Sequence, residues 1–479
     1  MTTEPTTTRR LAEFLVGVDY SDLPAPVAHQ TKRLILDTLA CAIGGRRSPL
    51  GEIAVRFAEL AGTEPAEATV VGGTHKGTAV AAATANGRMA GALDADDTFA
   101  SAGQTSHHGA STVMAALALA ERAGASGEQL IAAVAAGYEL GARFGVSVPT
   151  QEVVPTGERV GSWRVGGGPA GVLAAATASA HLVGLDPAQT VHALGIAGAH
   201  IDVPPLKWFE AEKAPMVKSL DVGWNTGTGV SSALLANLGM TGHASILDGD
   251  TGLWRALGYV SFDFEKATSE LGERWYLLDG SFKRWPCQYW VQPALTAFAR
   301  ILKDEQLTAD EIDSVVLRTN TKSGAPRFRE QQPDGFVTCQ FNLPHPAAML
   351  ALRVPSGPRW FDEWALGAEE VRAFRGKVEV EIDPESKRAA EWMVDGLIQR
   401  IPGSAEVQAR GTTYTARADA GLGAPWFDET RFTDDDLRTK LDDMASGDPA
   451  WDGRTAGLAD AVFALDQLAD VRELAALLS

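Results

Sequence analysis

Cysteine is scarce in this chain: Cys41, Cys287 and Cys339 are the only three in 479 residues. Three is odd and they lie far apart, which excludes a disulfide framework and fits a reducing, cytoplasmic setting. No C-x-x-C pair occurs, so neither a zinc ribbon nor an iron–sulfur cluster is indicated. Positive charge is in deficit, with 42 Lys and Arg against 61 Asp and Glu and a formal charge of −19. That sign speaks against nucleic acid and against an anionic membrane surface as partners. Aromatic residues make up 7% of the chain, thin for a cavity that must stabilise carbocations. Long hydrophobic runs are missing too. The longest Ala-rich stretch, 170–184, carries Thr177 and His181 and is too short to span a bilayer. The opening MTTEPTTTRRLAEFL lacks the apolar stretch of a signal peptide.

What is present is an ordinary globular balance, 45% apolar and 22% charged, with abundant Ala and 49 Gly that favour close helix packing. The length suggests roughly two to four domains. Through residue 278 the chain reads as successive helices. Pro26 opens a segment in which Val27, Thr31, Leu34, Ile35, Leu39 and Ile43 keep helical spacing, with Gly44 and Gly45 as its stop. A helix over 111–122 ends at Gly124. Ser126 with Gln129 spells a capping box for the next, Asp186-Pro187 an N-cap and first-turn proline for another, and 229–238 a further helix. A short extended pair is expected at 69–71 and 78–82. After 278 the character changes. Residues 314–319 (SVVLRT) and 377–382 (KVEVEI) alternate as half-buried strands do, and 406–409 with 413–416 suit a hairpin about Gly411. Helices are expected near 293–302 and 346–353, and helical spacing returns from Thr433. The expected fold is mainly α: a large all-α domain (1–278 and 432–479) with an inserted, smaller α+β domain (279–431).

Titratable chemistry concentrates in one place, LDADDTFASAGQTSHHGAS at 93–111. Asp94, Asp97 and Thr98 would share one face if this segment were helical. His107 and His108 stand where an apolar helix begins, and the free N–H groups of a helix entrance favour an anion. His is the side chain that titrates nearest neutrality, with carboxylates as its usual partners. The other histidines are scattered and read as surface or packing residues. Lys218 (PMVKSLDVGWNTG) and the pair Lys283 and Arg284 (GSFKRWPCQYW) are cations beside apolar and aromatic residues, suited to a carboxylate-bearing ligand. Asp94 to Asp97 also spells D-x-D-D, which looks like the acid motif of class II terpene cyclases. No standard metal-ligand spacing occurs.

In their order these segments resemble the MmgE/PrpD family, which includes 2-methylcitrate dehydratase and cis-aconitate decarboxylase. The landmarks are LILDTLACAIGG (34–45), ATVVGG (68–73), ANGRMAGALDADDT (85–98), GASGEQLIAAVAAGYELGAR (124–143), VKSLDVGW (217–224), FKRWPC (282–287) and DVRELAALL (470–478). The resemblance implies an all-α domain with an α+β lid, a cleft between them as active site, and a homodimer. It carries the family's aspartate onto Asp94, its threonine onto Thr98, its lysines onto Lys218 and Lys283, and its histidine onto His108, with His107 as the close alternative. Three positions depart from the pattern: Arg164, Asp221 and Gln292 stand where many members have histidine.

The expected activity is that of a cofactor-independent lyase dehydrating a citrate- or alkylcitrate-like polycarboxylate, with a small carboxylate as the only ligand and no metal. His108 is the expected acid/base and Asp94 its orienting carboxylate. Lys218 and Lys283 stabilise enolate-like charge, and Thr98, His107, Arg164, Arg284 and Gln292 hold the substrate. A decarboxylase or epimerase on the same fold is the first alternative, and a catalytically inactive binding protein the second.

Overall fold

Helices that are buried on nearly every side form the centre of the protein, and their Ala and Gly content is what lets them approach closely. The computed structural model describes residues 6–73, 75–101, 104–148, 152–153, 159–160, 168–201, 214–218 and 221–479. Its main helices are α1 (Ala25–Arg46), α2 (Ala79–Ala90), α3 (His108–Ala123), α4 (Gly127–Ser147), α5 (Gly168–Val183), α6 (Pro187–Ala199) and α7 (Val222–Asn237). Helix α5 lies centrally and packs on α3, α4 and α7, while α2 packs on α1 and α7. The capping signals read from sequence are in place. Ser126 and Gln129 form a reciprocal box, Asp186 caps α6 ahead of Pro187, and Gly124 ends α3 in the left-handed conformation at φ 63°.

Two local expectations are corrected. Gly44 and Gly45 do not stop α1, which continues to Arg46. They are contact glycines: a Cβ on Gly45 would lie 1.9 Å from the Met89 carbonyl oxygen, and one on Gly44 2.8 Å from the Met444 sulfur. The extended pair is Ala68–Thr69 with Lys76–Gly77, because Thr78 caps α2 through its hydroxyl instead of continuing a strand.

The strands are β1 (Phe99–Ser101), β2 (Gln104–Ser106), β3 (Ile312–Thr319), β4 (Val378–Ile382), β5 (Leu397–Ile398), β6 (Gly403–Ala409) and β7 (Thr412–Ala418). A four-stranded sheet has the order β7-β6-β3-β4, antiparallel except for the parallel pair β3–β4. The predicted alternation holds: Ile312, Val315 and Leu317 are buried, and Val315 stands opposite Val407. Helix α8 (Gln292–Asp304) packs on β6 and β7, and α9 (Asp434–Ala445) packs along α1. The chain is mainly α-helical.

The later half of the chain is stitched to the Asp/His segment at two places. Leu397 of β5 pairs with Ser101 of β1, and Thr98 and Ser281 form a bridge, N to O at 2.8 and 2.9 Å. The segment 94–98 is therefore not helical, and the shared face of Asp94, Asp97 and Thr98 does not form. Gly91 caps the end of α2, Asp94 turns the chain at φ 54°, and Thr98 already pairs as extended backbone.

Candidate active site

That turn brings its carboxylates onto a lysine from far along the chain. Lys283 is fully buried, with Nζ 2.6 Å from Asp94 Oδ1 and 3.6 Å from Asp96 Oδ1. Burial pushes the Lys283 ammonium down, but Asp94 and Asp96 outweigh it and its pKa is raised. Burial works against Asp94 in the same way, and Lys283, Lys218 and His107 hold its carboxyl at about 2.

Lys218 lies three residues before Asp221, the N-cap of α7, and donates to the Gly91 carbonyl at 2.9 Å. For Lys218 burial wins over Asp94 and Asp96, with Lys283 opposing as well, so its pKa is lowered. Its backbone is left-handed at φ 53°, close to the 54° of Asp94. Non-Gly residues there cost on the order of 1 kcal/mol each, a strain that clusters at functional sites. A small cavity of about 130 Å³, lined in part by Gly91, Val217 and Lys218, opens beside it.

The two histidines face different surroundings. His107 Nδ1 lies 2.7 Å from the Asp97 carbonyl oxygen, which can only accept, so Nδ1 carries the proton. Thr98 Oγ1 is 3.4 Å from the same nitrogen, and Asp96 Oδ2 is 3.8 Å away. Nε2 is then the basic atom, and it has no recorded partner among the described residues. Burial, followed by Lys283, lowers the His107 pKa, so the imidazole stays neutral. His108 instead packs inside the helical body. Its ring centroid is 4.1 Å from that of Tyr138 and 5.5 Å from that of Phe99, and Nδ1 meets Ser106 Oγ at 2.9 Å. Burial takes its pKa down to about 3.

Asp97 occupies the helix entrance whose free N–H groups were expected to favour an anion. Its carboxylate oxygens accept from the N–H groups of Gly109 and Ala110 at 3.3 and 3.1 Å, capping α3. With Asp97 a helix cap and Asp96 beside Lys283, the D-x-D-D segment is bound into the protein's own contacts, and burial together with Asp96 and Asp37 pushes the Asp97 carboxyl well up.

The remaining expected residues are placed as follows. Thr98 is anchored through its backbone to Ser281, with its hydroxyl toward His107. Arg284 turns away from Lys283 and pairs with Asp443 of α9 at 2.6 Å. Gln292 was expected to hold substrate, but its Nε2 donates to the carbonyls of Trp285 and Cys287 at 2.9 and 3.0 Å. Its Oε1 accepts from Trp285 N at 3.4 Å, so the amide braces the turn after Lys283 and has no atom left to offer. Asp221 is likewise structural here: it caps α7 and pairs with Arg88 at 2.6 Å. Arg164 lies outside the described residues.

Sequence reasoning missed a second buried ion pair beneath the turn. Lys440 Nζ is 2.5 Å from Asp37 Oδ1 and 2.7 Å from the Ala95 carbonyl. A signal was available, because Lys440 occupies the apolar stripe Leu437, Leu441 and Met444 of α9. It also missed Glu139, which accepts from Arg143 and from the Tyr276 N–H at 2.8 Å each and so anchors the run leading to Lys283.

Comparison with known proteins agrees with this frame. Residues 9–264 match the MmgE/PrpD N-terminal domain and residues 285–450 the MmgE/PrpD C-terminal domain. The chain belongs to the MmgE/PrpD family. Among curated relatives, the cis-aconitate decarboxylase of Homo sapiens is 26% identical over 489 residues, 98% of this chain and 94% of that protein. The cis-aconitate decarboxylase-like protein oryM of Aspergillus oryzae is 25% identical, covering 100% of this chain and 98% of its own length. The cis-aconitate decarboxylase of Aspergillus terreus is 27% identical over 72% of this chain and 71% of that protein. Such distances make this chain a divergent member.

Proposed function

We propose that this protein is a cofactor-independent lyase acting on a small polycarboxylate, with His107 as the proton-transfer group. The observation that carries this reading is the His107 ring. Its Nδ1 proton is pinned on the Asp97 carbonyl, its Nε2 is basic, and the buried Lys283 ammonium acts on it electrostatically. A neutral imidazole under the influence of Lys283 suits removal of a proton α to a carboxylate, because the cation stabilises the charge that develops. The electron pair then forms the carbon–carbon double bond as hydroxide departs, and the Lys218 ammonium protonates it to water. Lys283 holds a substrate carboxylate or the enolate-like oxygen. Asp94 orients Lys283, and His108 is a packing residue behind the site. In this reading residues 279–431 act as a lid on the helical domain, and lid closure brings Lys283 to Asp94 and excludes water.

Decarboxylation is the second reading, favoured by the names of the relatives. A β,γ-unsaturated carboxylate loses CO₂ when the pair from the broken C–C bond becomes a new double bond and the old one takes a proton at its far carbon. His107 serves there as the imidazolium donor, charged once substrate carboxylates lie beside it. A panel of citrate, alkylcitrates and cis-aconitate, followed by NMR in D₂O, separates the outcomes. An alkene with water loss marks the dehydratase, and CO₂ release the decarboxylase. Deuterium at a stereocentre without elimination marks an epimerase. Tight binding with every compound unchanged would overturn the lyase reading in favour of a binding protein.

We also propose a homodimer. Its contact is the apolar groove of about 600 Å³ lined by Phe57, Val80, Ala81, Trp224 and Leu235, of which Phe57, Trp224 and Leu235 are exposed. An apolar groove left open among the described residues of a charged chain suits a second copy of it.

A further inference from the structure

We propose that Lys440 and Asp37 form a positioning pair that holds the Ala95 carbonyl, and thereby the turn presenting Asp94 and Asp96 to Lys283. Neither side chain is placed on the substrate. The pair joins three distant segments: Asp37 from the middle of α1, Lys440 from α9, and the peptide between the two site carboxylates. Lys440 Nζ reaches Asp37 Oδ1 at 2.5 Å and Ala95 O at 2.7 Å, and both side chains are fully buried.

Stability alone does not account for such a pair. A buried ion pair is commonly no better than apolar residues of similar volume, because two charges must be stripped of water. Leucine at 440 would complete the apolar stripe of α9. Asp37 also keeps one oxygen, Oδ2, with no hydrogen-bond partner among the described residues, so this is not a network optimised for satisfaction. What the pair supplies is a donor at one chosen backbone oxygen. Ala95 follows Asp94, whose backbone at φ 54° tends to relax unless its neighbours hold it. The Ala95 peptide is gripped from below by Lys440, while Asp94 Oδ1 is gripped from above by Lys283 at 2.6 Å. The same grip keeps Asp96 Oδ2 at 3.8 Å from His107. Asp37 is coupled electrostatically to both Asp96 and Lys283, so the second pair also belongs to the charge balance of the site.

This inference rests on the reading of the Asp94–Lys283–His107 cluster as the active site, and the test separates the two. Removing one partner alone would strand a buried charge and unfold the protein, so both are changed together. Asp37→Asn with Lys440→Met removes the charges and the donor. Asp37→Asn with Lys440→Gln removes the charges and keeps an N–H for the Ala95 carbonyl. The first pair is expected to fold with a melting temperature near that of the parent, to lose about tenfold or more in kcat with little change in KM, and to move the His107 titration by about half a unit further below its ordinary value, because the Asp96 carboxylate that favours the imidazolium is no longer held beside it. That titration is followed by NMR with labelled histidine. The second pair is expected to recover most of both effects. Parent-like kcat and His107 titration in the Met variant would overturn the proposal, as would equal losses in both variants that track a fall in melting temperature. If the parent turns over no polycarboxylate, the lyase reading fails, and the His107 titration still decides the role of the pair.

Discussion

Asp94 and Lys283 are 189 positions apart in sequence and 2.6 Å apart in the fold. Their contact joins the end of α2 to the segment just before α8, with the Thr98–Ser281 bridge alongside. Lys283→Met strands Asp94 and Asp96 in a buried site without their cation. Urea denaturation should find it destabilised by about 3–5 kcal/mol. Adding Asp94→Asn should restore much of that stability and none of the turnover. Losses that simply add would mean the two side chains are energetically independent.

His107 and His108 separate by what they damage. His107→Gln is expected to lower kcat about 10²–10⁴-fold while ligand binding and melting temperature persist. His108→Ala opens a cavity between Phe99 and Tyr138, so its main effect should be on thermal stability. The opposite pattern, a dead but stable His108 variant and an active His107 variant, would return the acid/base role to His108.

The pH profile follows from the direction of the His107 shift. A base must be deprotonated to act, and its pKa lies below the ordinary 6.5 because burial and Lys283 disfavour the cation. The acid limb of kcat/KM should therefore fall below pH 6.5, with activity retained at neutrality. An acid limb above pH 6.5 would count against His107 as the base. Lys283 is shifted upward, so it contributes no alkaline limb near neutrality.

Asp94 sets an acid limit on stability. Its carboxyl moves from an ordinary 3.8 to about 2 on folding. A depressed carboxylate pKa favours the folded state above pH 3.8, and that contribution is lost as pH falls through about 2. Its size is about 2 kcal/mol by linkage. Denaturation of the parent and Asp94→Asn as a function of pH should show the parent losing this increment and the variant not.

The apolar groove gives a prediction about assembly. Light scattering should report twice the chain mass for the parent. Trp224→Glu with Leu235→Glu, both surface positions in the single chain, should halve it without unfolding. A parent that runs as a monomer would remove the dimer contact.

Local signals were legible wherever the chemistry was local. The capping box at Ser126 and Gln129, the cap at Asp186-Pro187 and the alternation of β3 each depend on neighbours a few residues away, and each is in place. Gly44 and Gly45 misled because a glycine that ends a helix and one that admits a neighbouring helix look alike in sequence. The Asp/His segment stood out by composition, yet its helical reading failed because Ser281, nearly two hundred residues on, turns Thr98 into extended backbone. Lys440 was visible as a cation in an apolar stripe, but its partner Asp37 could not be read from either segment alone.

By itself the sequence determined the mainly α character, the family, and the set of chemically able residues: Asp94, Thr98, two adjacent histidines and two lysines. Hydrophobic period, caps and ordered motifs are properties of short stretches. Only the tertiary structure decided that His108 packs against Tyr138 and Phe99, that Asp97 caps α3, and that Gln292 and Asp221 brace the scaffold. Those outcomes depend on where distant segments meet and which nitrogen a carbonyl can hold. That information lies in the packing of α1, α3, α9 and the Lys283 turn against one another.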